Sequence, residues 1–103
     1  MAVSSDADRR IARRFKVNAA VKLLPEESRR WVTGRIVDVS DSGAAAELDA
    51  PIPAGAIVHL EIRSLHLYGT AYIVRCKRRW WKYKAALEFK GALLGAVAAL
   101  LED

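Results

Sequence analysis

The chain has little of what most catalytic and metal sites are built from. It holds one cysteine and two histidines in 103 residues. A single cysteine, Cys76, excludes an internal disulfide and is compatible with a reducing compartment. His59 and His66 stand seven apart with no H-E-x-x-H or C-x-x-C partner, so they read as outward strand residues rather than metal ligands. No G-x-S-x-G precedes a helix, and no glycine-rich phosphate loop occurs. The expectation is therefore a protein with no catalytic residues, no metal and no cofactor. The longest apolar run, Ala92 to Leu101, is ten residues including Gly95, too short to span a bilayer. The first ten residues, MAVSSDADRR, lack the apolar region of an export signal. A cytoplasmic location is expected.

What is present is a hydrophobic fraction of 52%, enough for one modest core in a single domain. The net charge of +5 favours an anionic partner. The charge falls in two clusters. Arg9, Arg10, Arg13, Arg14 and Lys16 form the first. Arg75, Lys77, Arg78, Arg79, Lys82 and Lys84 form the second, interleaved with Trp80, Trp81 and Tyr83.

Residues 1–8 are small and polar and read as disordered. Residues 9–16 are a self-repelling basic arm, expected to stay mobile until an anion binds. Strand patterns follow over 17–24, 30–39, 43–48, 57–63, 65–76 and 81–89. The 30–39 pattern is out of phase: Val32 and Ile36 share one face, Val37 and Val39 the other. Either a bulge near Ile36 or a strand covered on both sides would account for this. The 65–76 strand is expected to weaken or bend at Gly69. Pro25–Ser28 and Pro51–Gly55 read as turns, and Arg78–Trp81 as a hairpin loop. Residues 91–102 change character. Leu93, Leu94, Val97, Leu100 and Leu101 recur at helical spacing with alanine between them. The order is six short antiparallel strands and a terminal helix, an all-β fold that suits a small barrel or a sandwich.

The most informative stretch is Asp38-Val-Ser-Asp-Ser-Gly43. In an extended chain Asp38 and Ser40 share a face while Val37 and Val39 take the other, and Gly43 offers a backbone open to positive φ. Upstream, Arg10-Ile-Ala-Arg-Arg14 contains R-x-x-x-R. Arginine presents a planar fork of donors that suits phosphate and the O6/N7 edge of guanine. A carboxylate such as Asp38 accepts from the other guanine edge, and a hydroxyl such as Ser40 can serve phosphate or base. A ligand carrying both guanine and phosphate would use all of these groups.

R-x-x-x-R ahead of the first strand and D-x-S-x-x-G closing the second together resemble the PilZ domain. The resemblance covers roughly residues 9–89, and includes the Pro51–Gly55 turn, the Gly69 strand and the closing Ala86-Leu-Glu-Phe89. It implies a six-stranded antiparallel β-barrel with a C-terminal α-helix: arm 9–16, barrel 17–89, helix 91–102. It also implies a ligand, the bacterial second messenger cyclic di-GMP, which is two guanylates closed into a ring. By the same resemblance Arg10 and Arg14 would contact phosphate and guanine, Asp38 and Ser40 would hold a guanine edge, and Gly43 would shape the turn. The arginine doublets allow a second register, Arg9…Arg13; Arg10…Arg14 is preferred because Arg14 abuts Phe15 as the family pattern has it. Arg9, just ahead of the motif, is compatible with an intercalated pair of ligands.

Two other readings concern the second basic cluster and the helix. Trp80, Trp81 and Tyr83 either stack single-stranded nucleic acid beside the cations or cap the barrel core. Nucleic acid is the less favoured partner. A nucleotide-independent adaptor is disfavoured because every motif position is kept. A downstream protein partner is expected, and the C-terminal helix is a candidate homodimer surface, although it more simply covers one end of the barrel.

Overall fold

The computed structural model describes residues 14–101. The readings for 1–8 and for residues 9–13 of the 9–16 arm, with Arg9, Arg10 and Arg13, lie outside the described residues; Phe15 and Lys16, read as part of the mobile arm, are instead paired strand residues opposite Val39 and Asp38. The elements are β1 (Phe15–Pro25), β2 (Val32–Val39), β3 (Gly43–Leu48), β4 (Ile57–Ile62), a 3-10 turn (Arg63–Leu65), β5 (Leu67–Arg79), β6 (Lys82–Lys90) and α1 (Gly91–Leu101). The strands close into one antiparallel barrel in the order β1-β2-β3-β6-β5-β4, with β4 returning to β1. This settles barrel over sandwich. Closure leaves fewer free strand edges exposed.

Alternation along each strand fills the barrel. Val21, Leu23, Ile36, Leu48, Val58, Ile62 and Ile73 are each at most 2% exposed. Each such side chain contributes about 1.5–3 kcal/mol by leaving water. Ile52, within the Pro51–Gly55 turn, is also buried, so this turn is tied to the core rather than merely reversing the chain. Gly55 has a φ of 89°, a backbone only glycine adopts freely, and its N–H donates to the Ile73 carbonyl.

The helix closes one end of the barrel. Leu93 and Val97 are buried, Leu101 packs at the margin, and Leu94 and Leu100 stay exposed. The buried stripe is thus narrower than the five-residue pattern. Gly69 seats this helix: a Cβ there would lie 2.5 Å from the Cβ of Leu93. The glycine expected to bend β5 instead admits α1 against it.

Three further expectations are corrected. Leu65 and His66 are not in a strand: Leu65 ends the 3-10 turn and His66 follows it in the left-handed region at φ 54°. Arg30 and Trp31 precede β2 rather than belonging to it. Arg78 and Arg79 are strand residues, paired with Tyr83 and Lys82, so the hairpin turn is Trp80–Trp81 alone.

Candidate functional site: a cationic groove between two bulged strands

The out-of-phase pattern of β2 is a bulge. Ile36 pairs with Ala46 and Asp38 with Ala45, which leaves Val37 as the extra residue. The insertion changes which side chains face the core. Ile36 is inside before it and Val39 is inside after it, while Asp38 faces outward. Val37 is only half-buried and lies beside Asp38 on the outer surface, against the expectation that it shares the buried face of Val39.

A second bulge lies across the same surface in β5, at Val74 rather than at Gly69, where the strand was expected to weaken or bend. Ile73 pairs with Leu87 and Arg75 with Ala86, so Val74 is the extra residue, 51% exposed. Its effect is the same. Without it Arg75 would follow Ile73 into the core; with it Arg75 faces out and Cys76 packs toward the core. Between the bulged strands run β3 and β6, where Ala45 and Ala86 are register partners. Two small side chains form a floor, and the bulged strands form the banks.

The resulting groove has a volume of about 510 Å³, within the range of small-ligand sites. Arg14, Lys16, Val37 and Asp38 line the first bank, and Arg75, Lys77, Arg78, Arg79 and Lys84 the second. Asp38 is the one acidic residue of the lining. An adjoining shallower pocket shares Arg14 and is lined by Ser40, Ser42, Gly43, Val74 and Glu88.

Strand pairing brings the two motifs together. Phe15 pairs with Val39 and Lys16 with Asp38, so the residue just before β1, Arg14, stands at the D-x-S-x-x-G turn. The guanidinium of Arg14 donates to Asp38 Oδ1 at 3.0 Å, with the arginine side chain 66% exposed and the aspartate 22%. Both retain unused hydrogen-bonding capacity.

Ser40 and Gly43 have structural tasks here. The Ser40 backbone N–H donates to the Gly43 carbonyl at 2.8 Å, its hydroxyl donates to the same oxygen at 3.3 Å, and the Ser42 N–H donates to that hydroxyl at 3.4 Å. These bonds hold the turn shut. Gly43 does not use positive φ as expected. A Cβ there would lie 2.2 Å from the Leu87 carbonyl oxygen, so glycine is required by the close approach of β6.

The histidines lie elsewhere. His59 is outward on β4 and contacts Glu26 at 3.2 Å. Among the described residues no group of three or more His, Cys, Asp or Glu side chains could hold a metal ion, and no helix is long and apolar enough to cross a membrane. Trp80 and Trp81 do not cap the core: they are 78% and 76% exposed, while Tyr83 packs against it. The second bank was visible in the sequence only as a basic cluster. What joins it to the motif turn is the Val74 bulge, whose sole trace is that Cys76 falls out of phase with Ala71 and Ile73.

The PilZ domain family model matches residues 8–100. The chain belongs to the PilZ domain family. Among solved structures, the barrel is similar to the Bacillus subtilis inhibitor of motility (MotI/DgrA), with a TM-score of 0.74 and 24% identity over 92% of this chain and 49% of that one. It is also similar to the K. pneumonia MrkH–c-di-GMP complex, with a TM-score of 0.70 and 15% identity over 93% of this chain and 51% of that one. At these identities the likeness is one of fold, and this PilZ chain spans about half the length of each structure. No curated protein matches the chain.

Proposed function

We propose that this PilZ domain is a receptor for cyclic di-GMP, which it binds in the groove between the two bulged strands. The observation that carries the reading is the meeting of the two motifs: Arg14 on Asp38, at the mouth of a cationic groove with an alanine floor. Family membership and the c-di-GMP held by MrkH support it.

The roles follow from the chemistry of each group. Arg10 and Arg14 take the phosphates and the O6/N7 edge of guanine. Asp38 exchanges part of its bond with Arg14 for the N1–H and N2–H edge of a guanine. Ser40 and Gly43 keep the turn rigid, and Ser40 offers its remaining hydroxyl capacity to the ligand. Arg9 and Arg13 supply the additional cations that a second, intercalated ligand molecule needs. The flat faces of Ala45 and Ala86 leave room for a purine ring to lie against the sheet. Each charge-assisted hydrogen bond contributes about 1.5–3 kcal/mol.

Binding draws the segment from Arg10 to Arg14 against the barrel and changes the surface offered to a downstream protein partner. The domain acts by binding rather than by catalysis. The exposed Leu94 and Leu100 on α1 are the surface a second copy would use. Calorimetric titration with cyclic di-GMP tests the reading: heat and saturation are expected for the native chain and severe loss for Arg14→Ala. No heat with the native chain would overturn it.

A further inference from the structure

The β5–β6 hairpin, most of whose cations line the ligand groove, carries at its tip a feature the groove does not use. Its two turn positions are both tryptophan, Trp80 and Trp81. They form the outermost part of the hairpin, each more than three-quarters exposed. Behind them, residues 75–84 hold six cations and no acidic residue.

Barrel stability does not account for this arrangement. On its β4 side β5 has no strand partner past Tyr72 among the described residues, so lysine and arginine along that edge would guard it against pairing with another chain. That explanation has no place for the tryptophans. The turn itself disfavours the first of them: Trp80 has a φ of 60°, at a position where two-residue hairpin turns take glycine. Arg78 Nε donates to the Trp80 carbonyl at 3.2 Å and holds this conformation. A bulky residue is thus kept where the backbone prefers glycine, fully outward, at the cost of strain.

We infer that the Trp80–Trp81 hairpin tip docks this domain on an anionic phospholipid surface. The indole rings enter the headgroup region, where tryptophan is favoured because one part of the ring is apolar and its N–H is polar. The cations behind them meet the lipid phosphates. An aromatic tip and a basic collar combine insertion at the headgroup level with attraction to anionic lipid. The ring geometry favours lipid over single-stranded nucleic acid. The indole centroids are 6.4 Å apart with planes at 58°, a wedge rather than a parallel platform for successive bases.

The test is co-sedimentation of the full chain with vesicles of phosphatidylglycerol mixed with phosphatidylcholine, compared with phosphatidylcholine alone. It is paired with indole fluorescence in a Trp31→Phe background, so that only the hairpin reports. The expected result is salt-sensitive binding to the anionic vesicles alone, with a blue shift and quenching by brominated lipid. The variant Trp80→Gly with Trp81→Ser suits the turn and should melt no lower than the native chain. It should bind the vesicles at least about tenfold more weakly while retaining cyclic di-GMP binding, which keeps this inference separate from the ligand reading. Absence of vesicle binding, equal binding to neutral vesicles, undiminished binding by the double variant, or salt-sensitive binding to an oligonucleotide without vesicle binding would each overturn it.

Discussion

The two banks of the groove are built by the same device and do different things. In each, one extra valine turns a charged residue out of the core and returns the strand to its buried phase: Val37 for Asp38, Val74 for Arg75. The β2–β3 bank then fixes its groups. Asp38 is paired with Arg14, and Ser40 is committed to three hydrogen bonds around Gly43. The β5–β6 bank fixes few of its groups. Arg75, Lys77 and Lys84 are exposed cations with no acidic partner within salt-bridge distance among the described residues. Groups held in place can read the edge of a base, whereas long unpaired cations supply attraction and little discrimination. The first bank should therefore set which nucleotide binds, and the second how strongly any anion is drawn in.

The largest effect is expected from breaking the first bank's frame. Gly43→Ala drives a Cβ onto the Leu87 carbonyl, and β3 must part from β6. A loss of about 2 kcal/mol or more is expected, lowering Tm by roughly 10 °C. A thermal melt checks this, and an unchanged Tm would show the close approach to be unimportant.

Next come the groups that read the ligand. Arg14→Ala should weaken cyclic di-GMP binding by about tenfold to a hundredfold. Asp38→Ala should weaken it by roughly tenfold and narrow the preference over cyclic di-AMP. Parallel titrations with both dinucleotides check this. Equal losses for the two nucleotides with Asp38→Ala would remove that carboxylate from base recognition.

A smaller effect is expected from the second bank. Arg75→Gln with Lys84→Gln should lower affinity by roughly threefold to tenfold at low salt, equally for the two dinucleotides, and flatten the dependence on ionic strength. If instead the preference for guanine changes, the division between the banks fails.

The smallest concerns Asp49, which follows β3 and bridges β2 and β6. It accepts from Lys82 Nζ at 2.8 Å and from Thr33 Oγ1 at 2.8 Å. These bonds, that from Lys82 foremost, hold its carboxyl below the ordinary 3.8. A carboxyl depressed in the folded state stabilises above its unfolded pKa, and that contribution fades as pH falls through the folded value. Asp49→Asn should lower Tm slightly at neutral pH, leave it unchanged in strong acid, and so flatten the acid side of a Tm-against-pH curve; the effect is small because the group is exposed.

How much of this the sequence disclosed follows from which interactions are local. Alternation in residues 43–48 and 57–62, and the helical spacing after Gly91, are local signals, and they located the strands and the helix. Motif spacing located Arg14, Asp38 and the turn. The mixed phase of Val32, Ile36 and Val39 left a bulge and a doubly covered strand as alternatives, and only the pairing with β3 decides for the bulge. What stayed hidden depends on contacts between distant segments. The need for glycine at 43 and 69 comes from β6 and α1, not from local φ. The joining of Arg75 to the motif bank needs barrel closure and the second bulge. Trp80 and Trp81 resembled core caps by composition, and only the two-residue turn shows them facing outward.

The most direct test of the groove as the binding site is amide chemical-shift mapping during titration with cyclic di-GMP. Shifts are expected from Arg14 through Lys16, from Val37 to Gly43, and at Ala45, Arg75 and Ala86, spanning both banks and the floor. Shifts that instead cluster around Trp31 and the Pro51–Gly55 turn, leaving Asp38 and Ala86 unmoved, would contradict it.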